Sequence, residues 1–361
     1  MNVNDAGWYT PLYHAIDRNN PEIVKLLLDK SNVEEENSLK ENINYEFQDG
    51  QTVLTLAAEK GNLDIMRMLL DYPGIDVNFK TSKGLIPLFQ AMQYDKPAIV
   101  EMLLSREETR LDMIDEDNEC ALRSACFSSY VECVKLFLND KRCTEIIVNH
   151  NIPDSRHGYH PSAPLLCAAY AGDTEIVKML LEIPGIELNT IWENKGYTPL
   201  LTALFCGHDE VAKLLLANKN TDITVKDKEN KTALMMACMR MQNASVDIVK
   251  LLLNHKYCPN DYINQKDKYN NSALSYAAIC DNEEIAKELL LQPGIDVDKH
   301  GKSTLHHAMA YNWVEVVKII LTNKNLNLAT LMEEDNNPLI GAVEENNIEC
   351  VHLFINDKRY L

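Results

Sequence analysis

Leucine and alanine return at fixed offsets along this chain. Counting from Thr10, Thr52, Ile86, Cys120, Ala163, Thr198, Thr232, Ser272, Ser303 and Asn337, the third residue is always Leu and the sixth always Ala. Thirteen residues after a start comes an apolar residue such as Ile23, Val211 or Val316, which opens a second apolar stripe. In Ile176, Val177, Leu180 and Leu181 that stripe runs i, i+1, i+4, i+5, one face of a helix. The pattern predicts ten copies of a short helix followed by an antiparallel second one. Successive starts lie 31 to 43 residues apart, a period that belongs to stacked repeats. One helix pair is too small to bury its own stripe, so neighbours have to cover it.

The letters at each start supply the local physics. In Thr10-Pro11-Leu12 and Thr198-Pro199-Leu200 the Pro ring presets the first helical turn and the Thr hydroxyl can cap free amides. The small Ala lets one helix lie close to the next. Gly61, Gly172 and Gly207, or Asn19, Asn312 and Asn346 in their place, suit the left-handed residue that ends a helix. These residues resemble the ankyrin repeat, with its Thr-Pro-Leu-His turn, Ala-rich first helix and Val-Val-Lys-Leu-Leu-Leu second helix. The likeness runs over about residues 5–361 and is fullest from Tyr197 to Leu216.

That resemblance implies an all-α fold: an ankyrin-repeat solenoid of about ten helix-turn-helix units with projecting β-hairpin fingers, a single domain over 1–361. Insertions are expected near 30–44, 141–160 and 241–245. Pro73 to Asn78, Pro184 to Asn189 and Pro293 to Asp298 resemble approaches to the fingers. The family's Pro is missing from the copies at Thr52, Cys120, Thr232, Ser272 and Ser303, and its His is mostly replaced, which puts the capping bonds there in question.

Charge narrows the function classes. Lys+Arg number 35 against 54 Asp+Glu, a net charge of −19, and such a chain repels phosphate backbones unless its cations cluster. Nucleic acid is therefore not the expected partner. The longest nearly apolar run, Ala163 to Ala171, is far shorter than a membrane span of about 20 residues. With no basic, apolar start resembling a secretion signal, the chain reads as cytoplasmic, the nucleus being the other compartment open to it. Ten cysteines without a CxxC pair read as reduced thiols. Cys126, Cys133, Cys238 and Cys350 fall on core offsets, whereas Cys143, Cys206, Cys258 and Cys280 are expected nearer the surface.

Candidate chemistry is thin. Gly301-Lys302-Ser303 has the end of a phosphate loop, but Gly294 stands two residues too far upstream and no strand precedes it. His150, His157 and His160 share one insertion without a zinc-ligand spacing. Asp112, Asp115, Glu116, Asp117 and Glu119 form an acidic finger without an acid–base pair. No enzyme, cofactor or metal is expected; an active site within the Asn149 to Ser162 insertion is the remaining enzymatic reading.

The surface is more informative. Ankyrin stacks bind proteins on a concave side made of finger tips and the exposed edge of the first helices. The residue seven after each start reads Asp17, Glu59, Gln93, Phe127, Tyr170, Phe205, Met239, Ile279, Ala310 and Glu344, polar at the ends and apolar in the middle. Tyr94, Tyr159, Tyr197, Tyr269 and Tyr311 flank it, and aromatics of this kind anchor interfaces. The expected function is a protein-interaction scaffold or adaptor, acting as a monomer. Acidic flanks at Glu59, Glu116, Asp117, Glu344 and Glu345 favour a basic protein partner. The alternative is a targeting or recognition region of a larger toxin, effector or channel. One modification site is suggested by resemblance alone: Leu70 to Asn78 is similar to the stretch that asparaginyl hydroxylases modify in ankyrin proteins, with Asn78 as the acceptor.

Overall fold

The computed structural model describes residues 9–30, 43–117, 119–151, 161, 163–240, 244–297, 304–322 and 337–359. Contacts group the chain into two halves, 1–194 and 195–361. In the first half the first helices are α1 (Pro11–Asp17), α3 (Val53–Lys60), α5 (Pro87–Gln93), α7 (Ala121–Phe127) and α10 (Pro164–Ala171). Their partners are α2 (Pro21–Lys30), α4 (Leu63–Leu70), α6 (Pro97–Leu104), α8 (Val131–Leu138) and α11 (Thr174–Leu181), with a short α9 (Glu145–Val148) inside an insertion. The second half repeats the plan. Its first helices are α12 (Pro199–Cys206), α14 (Ala233–Cys238), α16 (Ala273–Ile279), α18 (Thr304–Ala310) and α20 (Pro338–Glu344). Its second helices are α13 (Asp209–Ala217), α15 (Val246–Leu253), α17 (Glu283–Leu290), α19 (Val314–Thr322) and α21 (Ile348–Ile355).

Within each half, first helices stack on first helices and second on second, giving two layers. The constant Ala explains the close stacking: Ala57, Ala91, Ala125, Ala168 and Ala203 are wholly buried. The constant Leu fills the space between, buried at Leu12, Leu54, Leu88, Leu122, Leu165, Leu200, Leu234, Leu274 and Leu305. Burying each is worth about 1.5–3 kcal/mol, which short helices need because they are marginal alone. The last pair differs. Leu339 is only half-buried, while Ile340 and Val343 are 52% and 61% exposed. The same two offsets are buried at Thr55 and Ala58 and at Leu166 and Ala169.

Three of the questioned caps are made without the family's Pro or His. Thr52 Oγ1 accepts from Thr55 N at 3.1 Å, and Thr55 Oγ1 accepts from Thr52 N at 2.7 Å. Ser272 and Ser275 form the same reciprocal box at 3.1 and 3.2 Å, and Thr232 accepts from Met235 N at 3.2 Å. A second hydroxyl three residues on does the reciprocal job, a capping box by other means. Gly61, Gly172 and Gly207 end their helices at φ of 80°, 80° and 82°, and Asn19, Asn312 and Asn346 do so at 55°, 58° and 59°. Asp95, Ser129 and Asp281 fill the same left-handed position, a role their letters did not announce.

The fold adds detail at the fingers and the insertions. The projecting β-hairpins are closed loops; among the described residues they carry isolated bridges such as Ile114–Cys120 and no strand. The insertion at 141–160 is partly core, since Val148 is 1% exposed. The insertions near 30–44 and 241–245 lie largely outside the described residues.

Candidate partner-binding surface

Several finger tips are loops in which one N–H reaches the carbonyl four residues on. Thr81 N bonds Leu85 O at 3.0 Å, Asp115 N bonds Glu119 O at 2.9 Å, Asp227 N bonds Lys231 O at 3.0 Å and Asp267 N bonds Asn271 O at 3.0 Å. The residue that opens the loop turns its side chain inward. Asp227 Oδ1 accepts from the N–H groups of Glu229 and Lys231 at 2.8 and 2.7 Å, and Asp267 Oδ1 from Tyr269 and Asn271, both at 2.9 Å. Asp115 does the same with Asp117 and Glu119, both at 2.8 Å, and its burial raises its carboxyl above the ordinary range. An Asp here saturates the loop's own amides, the Asx-turn chemistry expected of that residue.

Loops are tied to the neighbouring pair by asparagine. Asn78 Nδ2 donates to Glu108 O at 2.7 Å while its Oδ1 accepts from Arg110 N at 2.8 Å. Asn44 grips Gly74 O and Asp76 N in the same way, Asn149 grips Gly185 O and Glu187 N, and Asn264 grips Gly294 O and Asp296 N. Both amide ends of Asn78 are therefore engaged in the stack. Arg142 is a second tie: its guanidinium reaches the carbonyls of Leu104, Arg106, Glu107 and Thr109 at 2.7 to 3.1 Å, steered by Asp140 at 2.6 Å. Asp357-Lys358-Arg359 repeats that arrangement, with Arg359 on Leu321 O at 2.6 Å. Residues 357–359 therefore tie the last pair to the one before it.

Finger bases lie against the exposed edge of the first helices. Gln51 Nε2 donates to Glu59 at 2.7 Å, and the Tyr197 ring sits 5.2 Å from Phe205, the same two offsets one half apart. In the first half this edge is polar at Asp17, which pairs with Lys60 at 2.8 Å, and at Glu59. It becomes aromatic where Phe127 stacks on Tyr170 at 5.7 Å, with Trp192 edge-on to Tyr170 at 6.0 Å. In the second half Phe205 is 55% exposed, Ile279 43% and Met239 half-buried.

Of the candidate anchors, Tyr94, Tyr170, Phe205, Tyr269, Ile279 and Tyr311 are exposed and Phe127 and Met239 half-buried. Tyr197 is not a free anchor. It is 7% exposed, its hydroxyl pushed up to about 12 by burial and by Asp227 and Glu229, so it supports Phe205 from behind. Tyr159 lies outside the described residues. Tyr276, four residues before Cys280, was missed: its hydroxyl donates to Asp267 at 2.6 Å and Lys231 lies 5.9 Å from its ring centre.

The chemistry readings settle mostly as structure. All ten thiols are free, and burial raises Cys120 to about 11 and Cys133 and Cys167 to about 12, the opposite of an activated nucleophile. Cys280, expected near the surface, is buried with its thiol on Met239 O at 3.1 Å. Glu119 holds the buried Arg123 at 2.5 Å and Asp112 pairs with Arg110 at 2.9 Å, which accounts for two members of the acidic finger. His157, His160 and Gly301 to Ser303 lie outside the described residues. Among the described residues no His, Cys, Asp and Glu group has the geometry of a metal site, and no helix is long and apolar enough to cross a membrane.

Two layers of short antiparallel helix pairs tied at their finger loops define the class, a helical repeat protein. A family model for ankyrin repeats, three copies at a time, matches residues 1–81, 73–150, 139–227, 219–300 and 291–360. The chain belongs to the ankyrin-repeat family. Mouse Rabankyrin-5 is 27% identical over 186 residues, 52% of this chain and 14% of that protein. The Arabidopsis thaliana E3 ubiquitin-protein ligase KEG is 25% identical over 86% of this chain, which spans 18% of the ligase. The crystal structure of the human ASB11 ankyrin repeat domain superposes with a TM-score of 0.52 at 21% identity, covering 68% of this chain and all of that domain. The chain thus spans a small part of the length of Rabankyrin-5 and of KEG.

Proposed function

We propose that this chain is a non-enzymatic, cytoplasmic scaffold that binds a protein partner along the face made by its first helices and finger tips, the concave face of its family. Ankyrin repeats are in general protein-interaction modules, and the observation that carries the reading here is the exposed apolar edge at Tyr170, Phe205 and Ile279 where other copies place Asp17 and Glu59. The anchors are Tyr94, Phe127, Tyr170, Phe205, Met239, Tyr269, Ile279 and Tyr311. The acidic tip at Glu116 and Asp117 suits a basic partner in the first half. The chain acts as a monomer in this reading.

The test is affinity capture with the parent, Tyr170→Ala, Phe205→Ala and Glu59→Ala chains. A true anchor costs about 2 kcal/mol or more on truncation, so both aromatic variants should lose the captured protein while Glu59→Ala keeps it. Folded aromatic variants that hold the same protein as tightly would place the site elsewhere. A second reading, the recognition region of a larger protein, draws support from the small share of Rabankyrin-5 and KEG that the chain spans. Sequencing the complete transcript decides it.

Asn78 as a hydroxylation acceptor remains a narrower proposal. Its amide bridges Glu108 and Arg110, so an enzyme has to open that tie before reaching the side chain. An unshifted Asn78 peptide mass after treatment with an asparaginyl hydroxylase would rule it out.

A further inference from the structure

The finger tips of the second half carry the sequence Lys-Asp-Lys twice, at Lys226-Asp227-Lys228 and Lys266-Asp267-Lys268. In each the Asp is buried, at 7% and 6% exposure, with its oxygen held by two backbone N–H groups. The acidic residue of the triplet is thereby removed from the surface, while Lys226, Lys228 and Lys268 beside it are exposed and Lys266 is half-buried. Lys195, Lys226, Lys228 and Lys268 are exposed, and among the described residues none of them takes part in an ion pair. On the Lys228 and Lys268 loops the remaining carboxylate, Glu229, is engaged by Lys231 at 2.6 Å and by the Tyr269 hydroxyl at 3.1 Å, while the Lys195 loop also carries the exposed Glu193.

The tips are also in register. Lys228 N donates to Lys195 O at 3.3 Å and Lys268 N donates to Glu229 O at 2.9 Å, so three successive loops stand side by side. The cations therefore form a row, bordered by the exposed Phe205 and Ile279 and the half-buried Met239 on the first helices. An unpaired row of like charge next to apolar side chains, on a chain with net charge −19, is a complementary surface for the opposite charge.

We propose that this second-half surface docks an extended, acidic segment of a protein partner, its carboxylates on Lys195, Lys228 and Lys268 and its apolar side chains on Phe205, Met239 and Ile279. This rests on the first-helix and finger-tip face being the binding side. The apolar border is what favours a peptide over a nucleic acid: a phosphate backbone offers nothing to Phe205 or Ile279, and the chain as a whole repels it.

The test pans random peptides displayed on phage against the full chain, then measures the enriched peptides by fluorescence anisotropy. Acidic peptides with interleaved apolar residues should be enriched, and their affinity should fall about tenfold or more in a Lys195→Glu, Lys228→Glu, Lys268→Glu triple variant and as salt is raised. A Lys25→Glu, Lys135→Glu, Lys178→Glu variant has the same net charge, altered on second helices, and should bind like the parent. Equal losses in both triple variants would overturn the site in favour of net charge alone. Enrichment of basic peptides that still depend on Phe205 would overturn the charge assignment and leave the binding face standing. Peptides indifferent to Phe205→Ala and to the lysine row, or none enriched, would overturn the face as well. A labelled oligouridine bound with the same lysine dependence and displacing the peptides would assign the row to nucleic acid.

Discussion

The two halves share one architecture and differ in what they show to solvent. Residues 1–194 carry 17 Lys+Arg against 32 Asp+Glu, and residues 195–361 carry 18 against 22. The contrast is sharpest at the finger tips. In the first half Lys80 and Lys83 are drawn onto neighbouring carbonyls, Asp115 O at 3.2 Å and Asp49 O at 2.7 Å, while the outward tip position is Glu116. In the second half that position is Lys228 and Lys268, whose side chains are exposed and form no ion pair among the described residues. Inward positions of the loop make the fold and outward ones are free to set charge, so recognition can diverge between copies without disturbing the stack.

The comparison breaks most visibly at the core. Phe137→Ala in the first half should cost about 3–5 kcal/mol in urea unfolding, the usual range for emptying a buried Phe site. Phe354→Ala, equally buried in the last pair, should cost less, because Ile340 and Val343 are already open to water and local unfolding of that pair limits the loss. Equal costs would mean that the last pair is as firmly held as the interior. The asparagine ties should behave alike in both halves: Asn78→Ala and Asn264→Ala each remove two hydrogen bonds and should each cost about 1–2 kcal/mol. A difference well beyond that range would show that the loops are not equivalent.

A smaller effect appears with pH. The Arg142 hydrogen bond holds Asp140 below the usual carboxylate range, and Arg359 does the same for Asp357. A depressed carboxyl stabilises the fold above its unfolded value, near 3.9, and that stability is lost as pH falls through the folded value. Asp140→Asn should therefore flatten the acid limb of stability below about pH 4. Asp357→Asn should do the same in the last pair, where Arg359 holds Asp357. Smallest of all, a thiol reagent applied to the native chain should find Cys143, Cys206 and Cys258 first, slowly, because burial has raised Cys143 to about 11 and Cys206 and Cys258 above the ordinary range. Fast reaction at Cys126 or Cys167 would contradict the packing.

What could be read from letters alone was what local chemistry dictates. Leu and Ala at fixed offsets announced the two layers, and Gly or Asn announced the helix ends. Thr55 and Ser275 as stand-ins for a capping His were not legible, since a hydroxyl in a sequence has many other uses. The burial of Tyr197 was not legible for a similar reason: one residue before a helix start reads as a surface position by offset, and its cover comes from groups distant in sequence such as Phe205 and the Asp227 loop. Signals did exist for the lysine row in the repeated Lys-Asp-Lys, but a count of charges over the whole chain averages it away. Whether a charged residue is available depends on which partner its neighbour has taken, and that is a property of folded loops.

The register of the finger tips has a metric consequence. Packed helices sit about 8–10 Å apart, and an extended chain advances about 3.3 Å per residue. One step along the stack therefore equals about three residues of a ligand laid across it. Lys228 and Lys268, one step apart, would meet side chains three residues apart, so the row is a ruler with a period of three, and inserting or deleting a single ligand residue between its acidic positions throws the remainder out of phase.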